Sequence, residues 1–279
     1  MSVARPIAFL VVLAAVFGGA VSLGWAVGPL ERGAASDDEA GHGEGGEATA
    51  AMDGPAGLAV AEGGYRLALV TRSLVAGSTQ PFAFRILDED GVPVRGYDLE
   101  HEREMHLIVA RRDLAEFVHV HPELGADGTW AVDVPVGDPG AYRVFADFTI
   151  DGEKHVLGAD LVAPGVFEPA ALPVPAVVAR AGGYEVRVSH GELESGVEVP
   201  FEFTVYRGAK AVAVDPYLGA RGHLVVLREG DLGYLHTHAE EDVLRFETTF
   251  PSAGRYRAFL QFSAGGRVRT AEFTVEVPR

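Results

Sequence analysis

The histidines of this chain are concentrated in two stretches that share one spacing. In each stretch a histidine is followed thirteen residues later by a second and two residues after that by a third. Neutral imidazole is a preferred ligand of Zn(II) and Cu(II), and three imidazoles leave one coordination position open. The pattern therefore predicts a three-histidine transition-metal site in each copy, formed by His106, His119 and His121 and by His223, His236 and His238.

Each triplet must be positioned by a hairpin. Residues 106–110 and 117–121 are typical strands, and the polar segment 111–116 turns between them. Paired positions of an antiparallel hairpin sum to a constant, so a turn centred near residue 113 places His106 opposite His119 or His121. Residues two apart point to the same face of a strand. The three imidazoles are therefore expected to converge, and the second copy is expected to repeat that geometry.

The surroundings of the two triplets differ. Met105 could add a thioether in the first copy and favour Cu(I), whereas Gly222 stands at the matching position of the second. The expected cofactor is thus a copper or zinc ion, and the two sites are not expected to be identical.

Other chemistry is open to the same residues. Neutral histidine is an ordinary hydrogen-bonding side chain, so each triplet could instead be a buried network that ties the hairpin to its neighbouring strand. A three-histidine site could also activate water. The candidate general base Asp147, however, is replaced by Gln261 in the second copy, and no nucleophile motif occurs. An enzyme is not expected.

Composition narrows the classes of function. The 279 residues carry a formal net charge of −17 and include no cysteine. Disulfides and thiolate metal sites are excluded, and without a run of Lys and Arg the chain is not expected to bind nucleic acid. An acidic surface raises the local concentration of cations.

The scaffold is a duplication. Gly63-Gly-Tyr65 recurs 119 residues later, the histidine triplets recur at an offset of 117, and Gly140-x-Tyr-Arg143 recurs at 114. Period-two alternation and Gly-rich turns within each copy predict an all-β fold of two tandem immunoglobulin-like antiparallel β-sandwiches. The expected repeats span 58–163 and 177–279, joined by a Pro-rich linker at 164–176.

The N-terminus predicts a location outside the cytoplasm. Residues 6–30 are uncharged and long enough to span a bilayer, so residues 1–31 are either a retained membrane anchor or a cleaved signal peptide. Residues 32–57 are rich in Gly, Ala, Glu and Asp and predict an acidic flexible linker. Arg5 before the apolar segment favours a cytoplasmic N-terminus with the rest outside. The expected location is the cell membrane or the secreted fraction.

His-x-His beside a Gly222-His223 strand start, in a sandwich outside the cytoplasm, resembles copper-associated extracytoplasmic modules of the CopC-like and YtkA-like kind. The resemblance implies copper. It assigns no individual ligand, because the Met-rich loop and the N-terminal histidine of such carriers have no counterpart here.

These observations predict an extracytoplasmic, membrane-tethered or secreted metal-binding protein that serves storage, delivery or protection. The alternative is a metal-free tandem adhesion or assembly module that binds a protein partner. Response of the melting temperature to a chelator separates the two.

Overall fold

The computed structural model describes residues 55–235, 237–240 and 242–279. The predicted anchor or signal segment and nearly all of the acidic linker lie outside these ranges. The described residues form nineteen strands: β1 Ala61–Glu62, β2 Tyr65–Leu69, β3 Ser78–Leu87, β4 His106–Arg111, β5 Phe117–Val120, β6 Glu123–Leu124, β7 Trp130–Val136, β8 Gly140–Ile150, β9 Glu153–Ala163, β10 Val178–Ala181, β11 Tyr184–His190, β12 Glu198–Arg207, β13 Lys210–Ala211, β14 His223–Arg228, β15 Tyr234–Leu235, β16 Thr237–Ala239, β17 Arg245–Thr249, β18 Gly254–Ser263 and β19 Val268–Val277. The all-β prediction is confirmed for this part of the chain.

The first repeat is a sandwich of two antiparallel sheets. Its outer sheet has the order β1-β2-β3-β7-β6 and its inner sheet the order β5-β4-β8-β9. Alternate residues of β3, namely Phe82, Phe84 and Ile86, are fully buried and meet Leu107 and Val109 of β4 in one core. Period-two alternation in the sequence thus becomes burial on one face of the outer sheet.

The second repeat is built in the same way. Its outer sheet runs β10-β11-β12-β17-β16, with β13 paired to β12, and its inner sheet runs β15-β14-β18-β19. Phe201 and Phe246 of the outer sheet and Tyr256 of the inner sheet lie in a common core.

Strand order and one side-chain contact give both sandwiches an immunoglobulin-like layout. In the first sandwich β3 lies beside β7 in one sheet and β4 lies beside β8 in the other. In the second, β12 lies beside β17 and β14 lies beside β18. These neighbours match those of the A-B-E-D and C-F-G sheets of that fold. Tyr142 donates a hydrogen bond to the carbonyl of Asp138 at 2.6 Å, and Tyr256 donates to the carbonyl of Ser252 at 2.7 Å. This is the tyrosine corner that marks the start of the sixth strand of such sandwiches.

The inner sheets are buried on both faces. All six residues of β4 are buried. Leu107 and Val109 face the first sandwich core, whereas Ile108 and Ala110 join Val225 of β14 in a third apolar core between the repeats. The two inner sheets therefore pack against each other.

The contact between the repeats is reciprocal. Phe117 of the first repeat stacks on Phe259 of the second, with ring centres 4.0 Å apart and an interplanar angle of 8°. Tyr234, at the position that matches Phe117, lies 5.7 Å from Phe145, which matches Phe259. Equivalent patches of the two copies thus meet, as in an isologous interface.

The segment between the repeats forms no strand, but it is not wholly free of the fold. Val166 and Val174 are 83% and 80% exposed, whereas Leu172 is buried in the core between the repeats. Within the described ranges, the structure contains no helix of the length and apolarity needed to cross a membrane.

Candidate metal centre

The first histidine triplet converges as its spacing predicts. Ile108 pairs with His119 and Leu107 with Val120 in the ladder of β4 and β5, so the same register sets His106 opposite His121. One nitrogen from each of the three imidazoles lies within 4.8 Å of the others. The ring centres are 5.3 Å apart for His106 and His119, and 4.9 Å apart for each of the two pairs that include His121.

These separations are close to those that a bound ion imposes. A tetrahedral ion held at about 2.0–2.1 Å from each nitrogen keeps the ligand nitrogens roughly 3.3 Å apart and the ring centres roughly 5 Å apart. In the structure, Nδ1 of His106 and Nε2 of His119 are 3.1 Å apart. His106 and His119 are therefore already at ligand spacing, and His121 lies within 4.8 Å of both.

Hydrogen bonds on the far side of each ring fix which nitrogens carry protons. Nε2 of His106 lies 3.1 Å from the carbonyl oxygen of Glu100, and Nδ1 of His119 lies 2.8 Å from the amide oxygen of Gln261. With the oxygen of the Gln261 amide facing the ring, both outer nitrogens donate, because both partners are then acceptors. In neutral rings the two inner nitrogens, which face each other, are then both unprotonated lone pairs, and only a cation between them makes that contact favourable.

A proton is a poor candidate for that cation at neutral pH. Burial, and then the neighbouring charges of the other histidines, hold the pKa of His119 well below its ordinary value. Burial likewise lowers the pKa of His121 to about 3. Nε2 of His121 is buried without a hydrogen-bond partner in the protein. An unsatisfied buried nitrogen beside two opposed lone pairs fits a metal ion.

His223 of the second repeat lies in the same cluster. Its ring centre is 6.1 Å from that of His106 and 6.2 Å from that of His119. Its Nε2 lies 3.2 Å from the carbonyl oxygen of Tyr217, six residues earlier, just as His106 is held by the carbonyl six residues before it. Nδ1 of His223 is thus left unprotonated in the neutral ring, and burial lowers the pKa of His223 to about 4.

The backbone of the second triplet departs from the predicted geometry at His238. His236 lies outside the described residues, as does the side chain of His238. The backbone of His238 belongs to β16, which pairs with β17 in the outer sheet, opposite Glu247. In the first copy the chain stays beside β4 to Val120 and joins the outer sheet only at Glu123. The second copy builds the hairpin of β14 and β15 in the register of β4 and β5, but β15 ends at Leu235, so the expectation that the geometry repeats as far as the last histidine is corrected.

The residue after each triplet also differs between the copies. Pro122 follows the first triplet, and Ala239 occupies the matching position after the second. Pro122 directly precedes Glu123, the first residue that pairs with β7. Ala239 instead pairs with Phe246 of β17.

Met105 is not placed as a ligand. It is 1% exposed and packs within the core of the first sandwich. The thioether considered from the sequence is therefore directed into hydrophobic packing.

A small cavity adjoins the cluster. It has a volume of about 40 Å³, and its lining includes charged and aromatic groups that the sequence analysis did not assign to a site, namely Glu100, His101, Lys154 and Tyr234. Asp147 lines it as well and is buried, which raises the pKa of its carboxyl group. Tyr234 donates to Asp147 at 2.9 Å, and the ammonium of Lys154 lies 3.6 Å from the same carboxylate and 2.7 Å from Glu100.

These groups come from both repeats, so their meeting could be found only by predicting how the repeats pack. The uninterrupted apolar runs at 107–110 and 224–227 were the available indication, because strands buried on both faces lack alternation.

Residues 59–164 and 179–279 each match the model of one protein family, described as a domain of unknown function, DUF8832. The chain belongs to this family. Both sandwiches of this DUF8832 protein are covered, so the duplication is a duplication of the family's domain. The comparison with curated proteins found no match.

Several solved structures share strand arrangements with this DUF8832 protein at low identity. FdeC, an Escherichia coli adhesin, is 12% identical over 77% of this chain and 64% of its own, with a TM-score of 0.27. A Salmonella alpha-2-macroglobulin variant is 15% identical over 81% of this chain and 15% of its own, with a TM-score of 0.29. Invasin, a bacterial integrin-binding protein, is 12% identical over 76% and 39%, with a TM-score of 0.22. Overlap of this size carries no inference about function, which rests on the chain's own residues.

Proposed function

We propose that this protein binds one transition-metal ion through His106, His119 and His121. The observation that carries the proposal is the 3.1 Å approach of two imidazole nitrogens whose outer partners are a carbonyl and an amide oxygen. Two lone pairs at that distance repel unless a cation lies between them, and the depressed pKa of His119 disfavours a proton.

The ligand set indicates the kind of ion. Three neutral imidazoles without thiolate or thioether suit Zn(II) or Cu(II), and the net charge of −17 would attract a cation to the protein. The resemblance to CopC-like and YtkA-like modules favours copper within that pair. Residues 6–30 support a role outside the cytoplasm, in storage, delivery or protection.

Binding without turnover is the proposed activity. A cavity of about 40 Å³ has room for a few water molecules but not for an organic substrate. The buried carboxylate of Asp147 is engaged by Tyr234, which satisfies one of its oxygens.

Metal titration of the full-length chain tests the proposal. We expect Zn(II) or Cu(II), titrated against a competing chelator, to saturate at one ion per chain rather than at the two that separate triplets would give. His119→Ala is expected to abolish uptake, whereas His190→Ala, which alters an exposed histidine of the second repeat, is expected to leave it unchanged. Absence of saturable uptake by the unaltered chain would contradict the proposal.

A tandem adhesion or assembly module remains the second candidate. The apolar core between the repeats favours it, because such packing holds two sandwiches at a fixed angle, as presentation of a binding surface requires. A ligand that binds only the folded state raises the melting temperature. If neither chelator nor added ion shifts that temperature, the adhesion proposal is favoured over metal binding.

A further inference from the structure

We infer that His223 of the second repeat supplies the fourth ligand, so that the ion joins the two repeats across their junction. This inference rests on the proposed function and adds to it the identity of the last ligand and the consequence of that identity. It assigns the first residue of β14 to a centre whose other ligands lie in the hairpin of β4 and β5.

The His223 ring is buried, and a hydrogen bond fixes which of its nitrogens carries the proton. It is 7% exposed, and the carbonyl of Tyr217 receives its Nε2 proton. Nδ1 is the nitrogen left to coordinate, as it is in His106, which the carbonyl of Glu100 holds in the same way. A metal-binding histidine normally donates its other N–H to such a partner, which fixes the tautomer and the ring orientation.

The His223 ring lies close to the rings of the first triplet. Ring centres at 6.1 and 6.2 Å from His106 and His119 exceed the spacing of a tetrahedral site by about 1 Å. The His223 ring also contacts the His101 ring, with ring centres 4.9 Å apart and an interplanar angle of 83°.

A hydrogen bond that orients one of the ligands already crosses the junction between the two repeats. Gln261 of β18, in the second repeat, accepts the hydrogen bond from Nδ1 of His119 in the first. Gln261 also pairs with His223 across β14 and β18. One strand pair of the second repeat therefore carries both the orienting group of one ligand and the proposed fourth ligand.

Coupling between metal binding and packing of the repeats follows. The complete ligand set exists only when the inner sheets are in contact, so ion binding and repeat docking must strengthen each other by the same factor. A site within the first repeat alone would not have this property.

Co(II) is a suitable probe, because its visible absorption reports coordination number. We expect the full-length chain to give the intense spectrum of tetrahedral Co(II). His223→Ala should weaken that spectrum and lower the affinity for Co(II) at least roughly 10-fold, since loss of a group that only orients a ligand already costs about that much. His223→Cys should add a thiolate-to-cobalt charge-transfer band in the near ultraviolet. His190→Cys, at an exposed position of the same repeat, should add none.

Three outcomes separate this inference from the proposed function. If His223→Ala keeps the spectrum and affinity while His119→Ala abolishes binding, the triad stands and the junction ligand is overturned. If His223→Cys folds, as judged by circular dichroism, and gives no charge-transfer band, the inference is again overturned. If His119→Ala also binds Co(II) as tightly as the unaltered chain, the proposed function itself fails.

Discussion

The two histidine triplets have one spacing and two different structural settings. The first remains in the inner sheet, where β5 pairs with β4 and three rings converge. In the second, His223 lies in that cluster, and the backbone has entered the outer sheet by Thr237. Identical spacing of the histidines thus indicates a common ancestor of the two repeats more reliably than it predicts a common metal site. The strand ladder in which each histidine takes part decides where it lies.

The sharpest test of this comparison changes the last histidine of each triplet. His121→Ala should weaken Zn(II) binding by more than about 100-fold, because loss of a ligand exceeds the roughly 10- to 100-fold effect of an outer-shell partner. His238→Ala should change the affinity less than about 2-fold by the same measure, since its backbone belongs to the outer sheet. Competition with a chromophoric chelator measures both. Equal losses would indicate that the two copies contribute alike.

Acid should destabilise the metal-free protein through the clustered rings. His121 and His223 have pKa values of about 3 and about 4 in the folded state, against 6.5 for an unperturbed histidine. Between pH 6.5 and about 4 the unfolded chain binds more protons, so stability present above pH 6.5 is lost as the pH falls through this window. His223 alone accounts for a change on the order of 3 kcal/mol.

Asp147 opposes this trend. Its pKa is raised by burial, so it contributes the opposite slope above pH 3.8. Urea unfolding at several pH values, in the presence of a chelator, measures the net effect. In an Asp147→Asn variant, which lacks the opposing slope, a free energy of unfolding that stays constant between pH 6.5 and 4.5 would contradict the burial of uncharged histidines.

The positions that match across the repeats at 147 and 261 offer a finer test. Gln261→Leu removes the acceptor for Nδ1 of His119 and should lower metal affinity by roughly 10- to 100-fold. Gln261→Glu should retain or strengthen binding, because a carboxylate in that place raises the basicity of the coordinating ring. Isothermal titration with Zn(II) compares them. A leucine variant that binds as well as the unaltered chain would show that the second repeat does not orient His119.

The smallest expected effect concerns the hydroxyl of Tyr234, which its counterpart Phe117 lacks. Tyr234→Phe should destabilise the fold by about 1–3 kcal/mol, because a buried oxygen of Asp147 loses its hydrogen-bond donor. Tyr206→Phe, on the outer sheet of the second repeat, should cost less than about 0.5 kcal/mol. Chemical denaturation gives both values. A neutral Tyr234→Phe substitution would mean that the buried carboxylate is satisfied by Lys154 alone.

The sequence predicted local structure well. Alternation of apolar residues and turn glycines predicted an all-β chain with immunoglobulin-like sandwiches, and the described strands have that layout. The hairpin was also predictable, because the polar segment 111–116 placed the turn and narrowed the partner of His106 to His119 or His121; the register selects His121. These features depend on residues close together in the chain.

Features that depend on packing between the repeats were not predicted. His223 and Gln261 reach the first cluster only because two inner sheets are covered on both faces, and spacing within one repeat contains no information about that contact. The diversion of β16 was missed for a related reason. The path of the chain after Leu235 depends on whether it pairs with β14 or with β17. The shared offset of 117 residues contains no information about that choice.

The mirrored contacts of Phe117 with Phe259 and of Tyr234 with Phe145 have a consequence for the history of the fold. Two copies of one domain that meet through equivalent patches have the geometry of a symmetric homodimer. Fusion of the subunits by the segment at 164–176 turns their association into an event within one molecule, governed by tether length rather than by protein concentration. It also frees the two halves to change independently, since a substitution no longer appears on both sides of the twofold axis.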